Sequence, residues 1–185
     1  MFNEKEHPLK TIFIVSLNEG EGKSLTAGNL AITFAQQKIP TLLIDADLRR
    51  GVQHNAFACE KEPGLTNFLY SKSDIIEENT KKLIQQTYIP NLYLITCGMA
   101  IPNPSEILGS RRSRDIFSFL SEKFGIIIID TPPLSLTADS IIISHYSDAG
   151  LFVVGSGMSE IKPLGKLFSE SGEFTRKIMG GVLNL

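Results

Sequence analysis

Gly20, Gly22, Lys23 and Ser24 sit in the stretch SLNEGEGKSLTAGNL, behind an apolar run and at the start of a helical pattern. A helix N-terminus carries unpaired N–H groups and a partial positive charge. A glycine-rich loop in front of it lets the backbone close around a phosphate without Cβ clashes. Lys23 would then neutralise β- and γ-phosphates, and the Ser24 hydroxyl would reach Mg²⁺. The strict pattern G-x-x-x-x-G-K-[ST] has a glycine where this chain has Leu17, so the match is to its second half, G-x-G-K-S, in a strand-to-helix context. The plain alternative is a strand-to-helix turn with a surface lysine.

Two other segments bear on that choice. TLLIDADLRR (41–50) sets Asp45 and Asp47 after a buried strand. In a parallel sheet, ligands sit at strand C-termini. Two carboxylates close to a triphosphate suit Mg²⁺ or its water ligands, and one of them could accept a proton from a nucleophile. A capping aspartate beside a surface one would read the same way. GIIIIDTPP (125–133) ends four isoleucines on Asp130, whose carboxylate would hold Mg²⁺ through water. Pro132 and Pro133 stop that strand and stiffen the loop behind it. Three such features in this order on one sheet favour a nucleoside-triphosphate site over three coincidences.

The elements that must position them alternate along the chain. TIFIVSL (11–17), TLLIDA (41–46), LYLIT (92–96), GIIIID (125–130), LFVVG (151–155) and IMGGVLNL (178–185) read as strands. KSLTAGNLAITFAQQ (23–37) spaces Ala27, Leu30, Ala31 and Phe34 as one helical face. PGLTNFLY and SDIIEENTKKLIQQ predict short helices, residues 104–124 one long helix with Ser105 as N-cap, and residues 162–177 another. Near-continuous apolar strands between helices predict an α/β fold: a mostly parallel sheet with helices on both faces, in three layers. The last strand has no helix after it. Part of the sheet is therefore expected to lie bare, or to be covered by a partner or a further segment.

A length of 185 residues fits one domain with a sizeable core. A net charge of −2 gives no electrostatic reason to expect nucleic acid as a partner. Cys59 and Cys97 are too far apart for metal-ligand spacing and read as reduced, buried thiols of a cytosolic protein. No run of about 18 apolar residues is present, and the polar, mixed-charge start is unlike a signal peptide.

Taken together, GEGKS, LLIDADLRRG, PGLTNFL, NPSEIL and IIIIDTPP resemble the cytoplasmic domain of the bacterial tyrosine autokinases of capsular and exopolysaccharide assembly systems, over residues 11 to 184 or so. The resemblance implies the P-loop NTPase fold, ATP with Mg²⁺, and phosphoryl transfer to tyrosine. It also implies a homo-oligomer, and a membrane-embedded chain-length-determinant or activator protein that recruits this cytoplasmic domain to the inner face of the plasma membrane. By position, Asn18, Glu19, Gly20, Glu21, Gly22, Lys23, Ser24 and Leu25 would form the Walker A loop around ATP. Asp45 and Asp47 would form the additional Walker A′ motif, and Asp130 the Walker B aspartate. The resemblance assigns catalysis to Lys23, Asp45 and Asp47, with Asp47 activating the attacking hydroxyl, and the metal to Ser24, Asp45 and Asp130. Asn184, in GVLN, sits where related ATPases touch adenine, although an asparagine ending a strand also serves as a turn residue.

The chain departs from the family pattern in places. Its four tyrosines (Tyr70, Tyr88, Tyr93, Tyr146) are scattered rather than clustered in a tail, and MFNEKEHPLK lacks an E-x-x-R-x-x-R assembly segment. The expectation is one domain over 1–185 without those two elements. Leu17 replaces a small residue and Gly51 a common proline. A second function class stays in view: an ATP-dependent dimerisation switch without kinase activity. Relatives of that kind carry a second lysine near the start of the loop, where this chain has Asn18. A small-molecule kinase or amide-forming synthetase would need a polar substrate pocket that the sequence does not announce. Arg49 and Arg50 would either stabilise a transferring phosphoryl group or pair with nearby acids. SRRSR (110–114) reads as the polar face of the long helix, MSEIKPLGK (158–166) as a segment near the base or a subunit partner, and His7, His54 and His145 take no ligand role.

Overall fold

Side-chain alternation decides how the layers assemble. The computed structural model describes residues 9–71, 76–158, 165 and 172–185. In Thr11–Ser16 (β1), Phe13 and Val15 join one apolar cluster, whereas Ile12 and Ile14 join another. Thr41–Asp45 (β2) divides Leu42 and Ile44 from Leu43 in the same way. Successive residues of a strand face opposite sides of the sheet, so a strand that is apolar throughout must be covered on both.

Gln85–Gln86 (β3), Leu92–Ile95 (β4), Ile126–Asp130 (β5), Ala149–Gly155 (β6) and Ile178–Asn184 (β7) complete a seven-stranded sheet of order β3-β4-β2-β5-β1-β6-β7. Only the β3–β4 pairing is antiparallel. Lys23–Gln36 (α1) covers one face with Ala27, Ala31 and Ala35, whose small side chains bring the helix close to the sheet. Gln53–Ala56 (α2) lies beside it, followed by Phe57 in the same cluster. The other face is covered by Leu65–Tyr70 (α3), Pro104–Leu108 (α5), Arg111–Lys123 (α6) and Asp139–Ser144 (α7), which contribute Leu65, Phe68, Leu108, Ile116, Phe117, Leu120 and Ile143. Ile76–Leu83 (α4) and Gly172–Arg176 (α8) complete the described helices. This is the three-layer α/β arrangement that the alternating elements predict.

The departures have local causes. The long helix expected over 104–124 is two helices. Ser110 is extended (φ −72°, ψ 159°), and its hydroxyl accepts from the Ser113 N–H at 3.2 Å, so it caps a new helix. Ser105 lies inside α5 and is not its cap; Asn103, in the left-handed region, holds that position before Pro104. The helix expected through Gln86 ends at Leu83. Gln85 and Gln86 then pair with Leu94 and Tyr93, and the Gln85 amide exchanges two hydrogen bonds with the Glu60 backbone. The helix expected over 162–177 lies mostly outside the described residues; its last part is α8. On β7, Met179 and Leu183 are exposed. No described helix is long and apolar enough to cross a membrane.

Candidate active site

The loop from β1 to α1 is braced by its own hydrogen bonds. The Ser16 hydroxyl donates to the Asn18 carbonyl (2.8 Å), and the Asn18 N–H donates to Glu21 Oε2 (2.9 Å). Asn184, at the end of β7, donates through Nδ2 to the Glu21 carbonyl (3.3 Å). Glu21 is buried, so its carboxylate belongs to the frame of the loop. Glu19 is exposed and pairs with Arg50 across the rim. Behind β5, Leu134 N–H donates to Ser16 O (3.0 Å) and Ser135 N–H to Leu17 O (2.9 Å), which ties the Pro132–Pro133 segment to the same loop. Leu17 packs against the core.

Gly20 and Gly22 have φ of 80° and 89°, in the left-handed region. Gly22 caps α1 without any side-chain hydrogen bond, and the first turn holds no acid. The N–H groups of that turn are thus left for an anion. Lys23 is buried and Ser24 half-buried, while Leu25 is exposed. Among the described residues the Lys23 ammonium forms no ion pair. A Cβ on Gly22 would lie 2.3 Å from Asn184 Nδ2. Gly22→Ala is therefore expected to lower stability by about 1–3 kcal/mol, through left-handed strain and the lost Asn184 contact. Thermal melting of the two proteins checks this, and an unchanged Tm would show that the loop shape differs.

Asp45 and Asp130 are register partners on β2 and β5. Each follows its strand's alternation, two residues beyond Leu43 and Ile128, onto the face that α1 covers. Both are buried. Asp45 Oδ2 accepts from the Gln53 N–H (3.0 Å) and Asp130 Oδ2 from Gln53 Nε2 (2.8 Å), while Oδ1 of each is buried without a partner. Burial, then the charge of Asp130, holds the Asp45 carboxyl well above the usual carboxylate range, against the Gln53 N–H. Burial also raises Asp130, and Ser24 and Lys23 beside it oppose the rise. Two acids with orphaned oxygens, next to a hydroxyl and an ammonium, have the donor chemistry of a hard divalent cation bound together with phosphate.

Asp47 lies past the end of β2 and is half-buried. Its Oδ1 accepts from the N–H groups of Arg49 (3.2 Å) and Arg50 (2.9 Å). The two arginines pair with acids. Arg49 lies 3.6 Å from Asp139 and 3.4 Å from the Ser105 hydroxyl, which itself donates to Asp139, so NPSEIL is linked to the Asp47 loop. In SRRSR, Arg111 pairs with Asp115, but Arg112 turns inward onto the Phe68 ring and carbonyl, away from the solvated face expected of it. Burial, then the nearby Asp45 charge, pushes the Cys97 thiol up to about 11, which fits an inert buried cysteine. His7 and most of 158–166 lie outside the described residues. The sequence gives no signal for Gln53, which touches both acids.

A mostly parallel sheet with a glycine- and lysine-bearing loop after β1, and acids ending the adjacent strands β2 and β5, defines a P-loop ATPase. The AAA domain family model matches residues 9–171. The tyrosine-protein kinase YwqD of Bacillus subtilis (strain 168) is 34% identical over 183 residues, covering 99% of this chain and 75% of that protein. The putative tyrosine-protein kinase CapB of Staphylococcus aureus is 32% identical over 187 residues, covering 100% and 78%. The crystal structure of the chimerical protein CapA2B2 superposes with a TM-score of 0.85 at 32% identity, covering 98% of this chain and 78% of that one. The chain belongs to the bacterial tyrosine-protein kinases, and so to the nucleotide-binding P-loop ATPases.

Proposed function

We propose that this chain is the ATP-binding catalytic domain of a tyrosine kinase acting in capsular or exopolysaccharide synthesis and export. The observation that carries the reading is the buried Asp45–Asp130 pair, with its two orphaned oxygens, beside the Gly22–Lys23–Ser24 helix start. The first-turn N–H groups of α1 and the Lys23 ammonium bind the ATP phosphates. Ser24, Asp45 and Asp130 would hold Mg²⁺, which would supply neutralisation of phosphate charge. Asp47 takes the proton of the tyrosine hydroxyl as its oxygen bonds to the γ-phosphorus and the bond from that phosphorus to the β-phosphate oxygen breaks. Asn184, which braces the loop, borders the nucleotide. The acceptor tyrosine belongs to another copy or another protein. The domain works as a homo-oligomer at the inner face of the membrane, brought there by a membrane-embedded activator. The relatives' names support this over a switch without kinase activity.

Incubation with γ-labelled ATP, Mg²⁺ and a tyrosine-containing peptide tests the reading. Phosphotyrosine is expected, with about 10²-fold less in Lys23→Met, which removes a phosphate-directed charge. Absence of label on tyrosine in the unmutated protein would overturn the proposal.

A further inference from the structure

Gln53 is almost fully buried and belongs to no motif. Its Nε2 lies 2.8 Å from Asp130 Oδ2 and 2.9 Å from the Ser24 carbonyl, and its backbone N–H lies 3.0 Å from Asp45 Oδ2. Two acceptors around one terminal atom require the NH₂ group, which has two donors to give. One residue therefore fixes one oxygen of each buried acid and the backbone carbonyl of Ser24 in the phosphate loop. The oxygens it leaves, Asp45 Oδ1 and Asp130 Oδ1, are the unpartnered ones.

The chemistry of the amide matters here. A lysine at this place would neutralise the acids and compete with a cation for them. A glutamate would add a third buried negative charge. An apolar side chain would leave Asp130 Oδ2 and the Ser24 carbonyl without their donor. A neutral double donor orients Asp130 against the Ser24 carbonyl, the backbone N–H of the same residue holds Asp45, and the charge of both acids stays available. We propose that Gln53 is the positioning residue of the divalent-cation site: it selects which oxygen of Asp45 and of Asp130 faces the metal and sets the spacing from Asp130 to Ser24. The inference rests on the Mg²⁺–ATP reading given above.

The test separates metal from nucleotide. Gln53→Met keeps the length and volume but loses both side-chain donors. Mn²⁺ titration of the ADP-bound protein, followed by electron paramagnetic resonance, should show about 10–100-fold weaker metal binding than in the unmutated protein. Calorimetry with ATP in excess EDTA should show affinity within about twofold of it. Metal affinity within twofold of the unmutated protein would overturn the proposal. So would a parallel fall in metal-free ATP affinity, which marks a role in the scaffold alone. The unmutated protein is the control for the underlying reading: if it binds neither nucleotide nor Mn²⁺, the ATP site itself is wrong. Should Gln53→Met not fold, ¹⁵N spectra of the unmutated ADP complex decide. The Gln53 side-chain NH₂ pair is expected to shift on Mg²⁺ addition, and an unmoved pair would overturn the proposal.

Discussion

Asp47→Asn is expected to lower the rate of tyrosine phosphorylation by about 10²–10⁴-fold, with KM for ATP changed by less than about threefold. The geometry predicts that split. Asp47 Oδ1 is engaged by the N–H groups of Arg49 and Arg50, which orient the side chain and shape the turn after β2. The amide oxygen of asparagine takes over those two bonds. Only the second oxygen changes, into an NH₂ that cannot accept a proton. Asp47→Ala would lose the turn as well and is the less informative variant. Steady-state kinetics with varied ATP and varied peptide separate the outcomes. An unchanged kcat would remove Asp47 as the base, and a KM for ATP that rises in step with the loss would make it a ligand of the bound nucleotide.

Asp130→Asn is expected to move activity and stability in opposite directions. Transfer should fall by at least about 10², because the buried carboxylate oxygen proposed to face Mg²⁺ is lost. The ligand-free protein should melt higher, by about 3–6 °C for ~1–2 kcal/mol, because the buried like-charge pair is relieved while the new amide can still accept from Gln53. The sign follows from linkage. Asp45 and Asp130 both have raised pKa values in the folded protein, so the fold binds their protons more tightly than the unfolded chain does. That contribution is full below the ordinary carboxylate value and is lost as pH rises through the raised ones. The unmutated, ligand-free protein therefore bears a growing penalty as pH rises, and the Tm gap to Asp130→Asn should narrow on acidification toward the ordinary carboxylate value. Calorimetric melting in EDTA across a pH series checks this; a variant that melts lower at the alkaline end of the series would show the pair to be stabilising.

Legibility in the sequence follows the physics of each part. Four isoleucines before Asp130 can only be a strand buried on both faces, and every residue from Ile126 to Asp130 is buried. The glycine–lysine loop is legible because it needs left-handed backbone at named positions, and Gly20 and Gly22 supply it. The break at Gly109–Ser110 is not, because Leu108 and Ile116 stay in helical phase across the polar stretch 109–115, and the Ser110 cap is what marks it. Asp45 and Asp47 look equivalent as letters. Strand alternation buries the first against α1, whereas the second lies past the strand, where the two arginine N–H groups hold it. Gln53 has no signature in one dimension: its importance arises from 29 residues of separation to Ser24 and 77 to Asp130, closed by the fold.

The phosphate loop is held from two sides, by Leu134 and Ser135 through β1 and by Asn184 through β7, with Ser16 and Glu21 bracing it from within. Freezing a loose backbone costs about 1–2 kcal/mol per residue in conformational entropy. Here folding has already met that cost before any nucleotide arrives. Contacts made to the triphosphate therefore go into affinity undiminished by loop ordering, and association can proceed by docking onto a rigid cradle without a slow rearrangement step.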